Sequence, residues 1–148
     1  MKKMKFSKVR NVKSPIRANS TDAGIDFFVP DDFESLELNT NDSVLIPSGI
    51  KAVIPDGHAL IAFNKSGIAT KKKLLVGASV VDCGYEGEIH IHLINNGKEK
   101  QTINPGDKII QFICLPINFV TPLEVPLEDL FKDQNSTRGA GGFGSTGV

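Results

Sequence analysis

The last eleven residues of the chain, RGAGGFGSTGV, combine chemically active side chains with an unusually high share of glycine. Arg138 is a forked cation, Phe143 is an aromatic ring, and Ser145 and Thr146 carry hydroxyls. An Arg fork and unobstructed N–H groups suit phosphate oxygens, and a ring suits a base, so the segment favours a nucleoside polyphosphate. Because so much glycine buries little apolar surface, we expect a mobile arm over residues 133–148. A plain frayed tail is the alternative.

Two inner segments place polar side chains beside glycines. The segment Lys65-Ser66-Gly67 offers an ammonium group, a hydroxyl and backbone N–H groups to an anion, although alone it also fits a solvated basic loop. In the second segment Asp82 follows two valines, and Tyr85 follows a glycine turn, which predicts a β-hairpin whose tip displays both residues. A carboxylate beside a polyphosphate can act as a general base, and a tyrosine ring can pack on a sugar.

Two further segments carry a weaker signal. Gly24 permits a tight backbone before a strand and leaves Asp26 beside it, although an Asp near a Gly often reflects turn chemistry alone. Gln111 is polar within an apolar run that follows the Gly106-Asp107 turn. A buried glutamine needs partners, so Gln111 is expected to hold a water or a phosphate.

The elements that must position these groups are strands almost throughout. Period-two alternation is clearest over residues 88–94, where Ile89, Ile91 and Leu93 face one side and His90 and His92 the other. Frequent turn signals favour a sandwich or jelly-roll barrel, with short helical turns only at 67–73 and 127–131. The further strands are predicted at 27–29, 44–46, 50–54, 58–63, 100–103 and 109–115, after a positively charged first strand.

Length and composition are those of one globular domain. The chain has 148 residues and a formal net charge of zero, so no global field attracts nucleic acid, and we expect no direct nucleic-acid binding. No apolar stretch follows the basic start, and none is long enough for a membrane span, so we expect a cytoplasmic protein without a membrane partner. Cys83 and Cys114 are too few for a disulfide framework, and we expect both to be reduced and partly buried. A catalytic thiol at Cys83 is an alternative.

Taken in order, these segments resemble the five motifs of the trimeric dUTP diphosphatases (dUTPases). The motifs are A-G-x-D, K-S-G, V-V-D-x-G-Y-x-G-E, G-D-K-I-I-Q and R-G-x-G-G-F-G-S-T-G, and they span residues 22–147. The resemblance implies an all-β jelly roll over residues 1–132 and an arm over 133–148 that closes over a neighbouring active site. It also implies a homotrimer with shared sites that hydrolyses dUTP to dUMP and pyrophosphate, which supplies dUMP for dTMP synthesis and keeps uracil out of DNA.

The same resemblance implies a role for each matching residue. Asp82 would activate the water that attacks the α-phosphorus, and Tyr85 would lie under the deoxyribose and leave no room for a 2′-hydroxyl. Mg²⁺ would be bound mainly by the triphosphate, with Asp26 contacting it through water. The substrate-binding residues implied are Lys65, Ser66, Gly67, Ser79, Val80, Val81, Tyr85, His90, Gln111, Arg138, Phe143, Gly144, Ser145 and Thr146.

Departures from the family pattern leave alternatives open. Lys65 stands where the family usually has Arg, and Val76-Gly77-Ala78-Ser79 replaces a segment with an Asn that commonly helps to bind uracil. A dCTP deaminase shares the jelly roll, although it would lack the intact tail motif. A metal-dependent hydrolase using His90 and His92 and a non-catalytic jelly-roll module are the other two alternatives.

Overall fold

The structure, a computed structural model, describes residues 3–147 and divides after Asn118 into two compact units. The regular secondary structure of the first unit is almost wholly β-strand, as the alternating sequence predicts. The strands are β1 (Lys5–Lys8), β2 (Ile25–Phe27), β3 (Leu36–Leu38), β4 (Ser43–Pro47), β5 (Ile50–Val53), β6 (His58–Phe63), β7 (Leu74–Val76), β8 (Val80–Val81), β9 (His90–Asn95), β10 (Gln101–Ile103) and β11 (Ile110–Pro116).

These strands form four antiparallel sheets. The largest has the order β2-β11-β6-β8, and a three-stranded sheet has the order β4-β9-β7. The pairs β1-β5 and β3-β10 form two smaller sheets. Neighbours in these sheets are often far apart in sequence, which is typical of strands that cross between the layers of a sandwich.

The core lies between the inner faces of the sheets. Ile89, Ile91 and Leu93 are buried, whereas His90 is exposed and His92 is half-buried, so the alternation predicted over 88–94 is confirmed. The rings of Phe27 and Phe112, on the neighbouring strands β2 and β11, pack with their centroids 4.5 Å apart. Burial of such rings stabilises the fold by about 25 cal/mol for each Å² of apolar surface that is removed from water.

The turn signals and the two short helical segments are confirmed. Gly49 and Gly106 have φ angles of 75° and 80°, in the left-handed region that favours glycine. Gly49 also lies against the N-terminal segment, because a Cβ there would meet Cγ1 of Val12 at 2.8 Å. A single π-helical turn occupies Ile68–Lys72, and helix α1 occupies Leu127–Leu130 in the second unit.

Two predictions about the strands are corrected. Val80–Val81 does not pair with β9 in a hairpin but with β6, through Leu60↔Val81 and Ile61↔Val80. The reason is that β9 already lies between β4 and β7. Strands β3 and β7 were not predicted, because each has three residues and is too short to show an alternating pattern.

The second unit, residues 119–147, contains α1 and a series of turns. Many of its large apolar side chains are exposed, among them Phe119, Leu123 and Leu127. Within residues 3–147, no helix has the length and apolar character needed to cross a bilayer.

Candidate functional site

A cavity of about 190 Å³ lies beside β9 in the first unit. It brings together six of the catalytic and substrate-binding residues that were predicted from the sequence, and two of them, Asp82 and Tyr85, are exposed. The wall is mainly apolar with a few polar groups, which is the usual character of a small-molecule site. The cavity is lined by Leu45, Ala78, Ser79, Val80, Val81, Asp82, Tyr85, Ile89, His90, His92 and Phe112.

The edge of β9 is open toward this cavity because β7 is shorter than β9. Strand β7 pairs with residues 93–95 only, and the N–H of Gly77 adds one bond to the carbonyl of His92 at 3.0 Å. The backbone of Ile89 faces the other way, since its N–H bonds to Ile50 and its carbonyl accepts from Ser48. Successive residues of a strand point their N–H and C=O groups to opposite edges, so the backbone of His90 faces the side that β7 leaves open.

Tyr85 is held by hydrogen bonding and by a glycine. Its hydroxyl donates to the carbonyl of Glu88 at 2.9 Å. The ring lies against Gly87, where a Cβ would come within 2.4 Å of the ring carbon Cζ. The glycine two residues after the tyrosine is therefore needed for close approach of the ring, since its φ is not in the left-handed region.

His92 packs on the segment Val76-Gly77-Ala78-Ser79. Its Nδ1 accepts a hydrogen bond from the N–H of Ala78 at 2.8 Å, so Nδ1 carries no proton and the neutral ring carries its proton on Nε2. A Cβ on Gly77 would lie 2.2 Å from that same nitrogen. Nδ1 of His90 bonds to the carbonyl of Glu88 at 2.9 Å, so one nitrogen of each ring is engaged within the protein.

A second cluster surrounds Asp26 on β2. This buried carboxylate forms ion pairs with Lys65 through Oδ1 and with Lys108 through Oδ2, the latter at 3.2 Å. The side chains of Lys65 and Lys108 are 23% and 43% exposed, so both ammonium groups reach solvent while Asp26 is almost fully enclosed. No role for Lys108 was predicted from the sequence.

Gln111 links the cluster to the loop that contains Lys65. Its Nε2 donates to the carbonyl of Asn64 at 2.8 Å, and the side-chain oxygen of Asn64 accepts from the N–H of Val76 at 2.8 Å. Gln111 is half-buried, and its partner in this structure is backbone. A Cβ at position 24 would lie 2.0 Å from Oε1 of Gln111, so only glycine fits there. The close approach of Gln111, and not the tight turn expected from the sequence, explains Gly24. Ser66 and Gly67 follow as an exposed helical turn directly before the π-helical turn, with open space around Gly67.

The two clusters lie toward opposite ends of β6. Leu60 pairs with Val81, the residue before Asp82, whereas the loop with Lys65 begins after Phe63. Three residues of a strand span about 10 Å, so Asp82 and Lys65 of one chain are separated by more than that along the strand. A general base must lie within about 3 Å of the proton it removes, or one water away.

Glu88, a residue without a predicted role, precedes the cavity residues Ile89 and His90 in the chain and is held by charged and backbone donors. Its carboxylate accepts from Nε and Nη2 of Arg10 at 2.7 and 3.2 Å, and from the N–H of Gly49 at 2.8 Å. The hydrogen bond from Arg10 lowers the pKa of Glu88 below its ordinary value of 4.5, and the same pairing raises the pKa of Arg10. Cys83 is exposed, contrary to expectation, whereas Cys114 is half-buried as expected.

The residues predicted in the tail lie in the second unit. Nε of Arg138 donates to the carbonyl of Gly141 at 2.7 Å, and the N–H groups of Arg138 and Gly139 donate to the hydroxyl of Ser136. Phe143 is fully exposed and has a φ of 51°. Gly144 has a φ of 91°, and Ser145 and Thr146 are exposed.

Comparison with known proteins identifies the family. A sequence model of the dUTPase family matches residues 10–147. The chain belongs to the dUTPase family. A deoxyuridine 5′-triphosphate nucleotidohydrolase of Gloeothece citriformis is 34% identical over 149 residues, which cover 99% of this chain and 97% of that protein. One of Clostridium acetobutylicum is 35% identical over 136 residues, covering 90% and 88%.

Solved dUTPase structures share the fold. The dUTPase of Staphylococcus bacteriophage 80alpha with dUPNHPP has a TM-score of 0.82 and 26% identity, and both chains are covered completely. The jelly-roll fold expected from the sequence is thereby confirmed. The chain is a dUTP diphosphatase that hydrolyses dUTP to dUMP and pyrophosphate.

Proposed function

We propose that the enzyme hydrolyses dUTP by Mg²⁺-assisted attack of water on the α-phosphorus, with Asp82 as the general base. The observation that supports this most directly is the cavity on the open edge of β9, which has Asp82 and Tyr85 at its side. Phosphoryl transfer depends on positioning and charge neutralisation more than on covalent chemistry. An exposed carboxylate suits the orientation of a water, and the cavity suits a nucleoside.

In this proposal the base and the sugar bind along residues 79–90. The uracil edge would meet backbone groups of His90 at the strand edge that β7 leaves open. Ser79, Val80 and Val81 would line the base, and the ring of Tyr85 would lie under the deoxyribose. A ring held there excludes a 2′-hydroxyl sterically, which would distinguish dUTP from UTP.

The triphosphate would bind at the second cluster. Lys65, Ser66 and Gly67 would contact phosphate oxygens, and Gln111 would hold their loop through Asn64. Asp26 pairs with two ammonium groups, which places positive charge where the phosphates would lie.

Mg²⁺ is proposed as the cofactor. The ion prefers oxygen ligands and is usually held by one or two carboxylates together with substrate phosphates. Among residues 3–147, no three His, Cys, Asp or Glu side chains come together as a metal site, so the triphosphate would provide most of the ligands. Both oxygens of Asp26 are already ion-paired, which fits a contact through water. When bound, the ion would neutralise charge on the phosphates. A structurally similar dUTPase, from phage phi11 of S. aureus, has been described with a structural Mg(II) ion.

We further propose a homotrimer in which neighbouring chains share each site. The separation of Asp82 and Lys65 along β6 supports this arrangement, since one chain would not bring both to the same phosphorus.

The domain would comprise residues 1–132. Residues 133–148 would form a mobile arm that closes on a neighbour's site, where Arg138 would bind the γ-phosphate and Phe143 would cover the uracil, helped by Gly144, Ser145 and Thr146. The cytoplasm is the location proposed, a reducing compartment in which an exposed thiol such as that of Cys83 stays reduced.

The test is pyrophosphate release by Asp82→Asn, with dUTP, dCTP, dTTP and UTP assayed side by side in the presence of Mg²⁺. Removal of an aligned general base is expected to lower turnover of dUTP about 10²- to 10⁴-fold while binding of the analogue dUPNHPP persists. The matched control is Cys83→Ser, which changes the adjacent exposed residue and should leave turnover as in the wild type.

Three results would contradict the proposed mechanism. Turnover by Asp82→Asn at the wild-type rate would remove Asp82 as the base. Loss of turnover in Cys83→Ser alone would favour the thiol. Ammonia release from dCTP would identify a deaminase.

A further inference from the structure

The carbonyl oxygen of Glu88 holds two residues of the nucleoside cavity at once. It accepts the hydroxyl of Tyr85 at 2.9 Å and Nδ1–H of His90 at 2.9 Å. A carbonyl can only accept, so the proton of the His90 ring lies on Nδ1 in this arrangement. The orientation of both rings therefore depends on the position of one peptide group.

The side chain of the same residue is fixed from the opposite side of the backbone. Arg10 binds its carboxylate with two N–H groups, at 2.7 and 3.2 Å, and Gly49 adds a backbone N–H at 2.8 Å. Paired N–H bonds from a planar guanidinium restrict orientation as well as distance. The N-terminal segment that carries Arg10 is itself attached, because the N–H of Val9 donates to the carbonyl of Gly49 at 2.8 Å.

We propose that Arg10 is a positioning residue for the sugar pocket, which fixes the ring of Tyr85 through Glu88 and thereby sets discrimination against a 2′-hydroxyl. This assignment to the sugar rests on the proposed function. Arg10 does not line the cavity, and its side chain bonds to Glu88, so its effect on selectivity would pass through the peptide group of Glu88. Gly87 adds to the restriction, because the ring of Tyr85 lies directly against its Cα.

The chain provides a direct spectroscopic reporter for this proposal. It contains one tyrosine and no tryptophan, so tyrosine emission comes from Tyr85 alone. A ring held by its hydroxyl and packed on a glycine should rotate little, which gives high emission anisotropy. Loosening of the peptide group at 88 should lower the anisotropy even when no substrate is present.

The experiment compares Arg10→Gln, Arg10→Lys and Glu88→Gln with the wild type in the full-length protein. Arg10→Gln and Glu88→Gln are expected to lower the anisotropy of Tyr85 and to reduce the ratio of kcat/KM for dUTP over UTP about tenfold. Arg10→Lys keeps the charge but loses the paired geometry, so its values should be intermediate. Lys100→Gln, which breaks an exposed ion pair with Glu37 outside the cavity wall, is the matched control and should match the wild type in both measurements.

The outcomes separate the inference from the proposed function. Wild-type anisotropy and an unchanged dUTP/UTP ratio in both Arg10→Gln and Glu88→Gln would overturn the inference. So would an equal loss of activity on both nucleotides without a change in anisotropy, since that is the effect of a structural ion pair. A third outcome is that the variants show lower anisotropy while the wild type hydrolyses neither dUTP nor UTP. That outcome would support the link from Arg10 to Tyr85 and contradict the proposed function.

Discussion

At the scale of the residue, Asp26 is the group whose environment most constrains its role. Its carboxylate is almost fully buried and pairs with Lys65 and Lys108. We expect Asp26→Asn to lower the free energy of unfolding by about 2 kcal/mol, because it leaves two cations without their partner; partial exposure of the lysines keeps the loss below that of a fully buried pair. Urea unfolding measures the effect. Glu37→Gln breaks an exposed pair and should cost less than about 1 kcal/mol, and an equal loss in both variants would contradict the argument.

The types of the site residues were predictable from the sequence, but their pairings were not. The motifs selected Asp82, Tyr85 and Gln111 as candidates because each stands at a fixed spacing from glycines in the chain. The contact of Gly24 with Gln111 joins positions far apart in sequence, and no local pattern indicates it. The same holds for Arg10 and Glu88, which meet only once β5 and β9 are in place. A charged residue on a predicted strand is ordinarily solvated, so no sequence pattern favoured the selection of either one.

At the scale of the element, the pairing of Arg10 with Glu88 joins the N-terminal segment to the start of β9. The folded pKa of Glu88 lies below 4.5, so the pairing contributes its full stability above that pH and loses it as the pH falls through the folded pKa. We expect Glu88→Gln to lower the urea midpoint at about pH 6, and we expect its difference from the wild type to shrink as the pH falls below 4.5. A difference that is constant across this range would show that the ionised carboxylate is not responsible.

Strands were predicted well where burial alternates and poorly where they are short. The alternation over 88–94 requires an inner and an outer face, and β9 has both. Strand β7 has three residues, of which only Leu74 is fully buried, so its sequence shows no alternation of buried and exposed positions. The wrong hairpin has a topological cause. Val80 and Val81 are apolar enough to pair with any free edge, and the edge available to them belongs to β6. Local sequence does not encode which edges other strands have already occupied.

At the scale of the whole molecule, sharing of sites makes a prediction that a self-contained site does not. A variant with Asp82→Asn lacks the base, and a variant ending at Asn135 lacks Arg138 and Phe143; each alone should be inactive on dUTP. If the base and the arm of one site come from different chains, trimers refolded from an equal mixture should regain activity. Random assembly would give roughly one quarter of the wild-type sites, because each site needs the intact base of one chain and the intact arm of another.

Pyrophosphate release from the refolded mixture measures the recovery, and mixing without refolding is the control. A mixture as inactive as its parents, with trimers present by light scattering, would contradict shared sites, since a site built within one chain cannot be complemented by its neighbour.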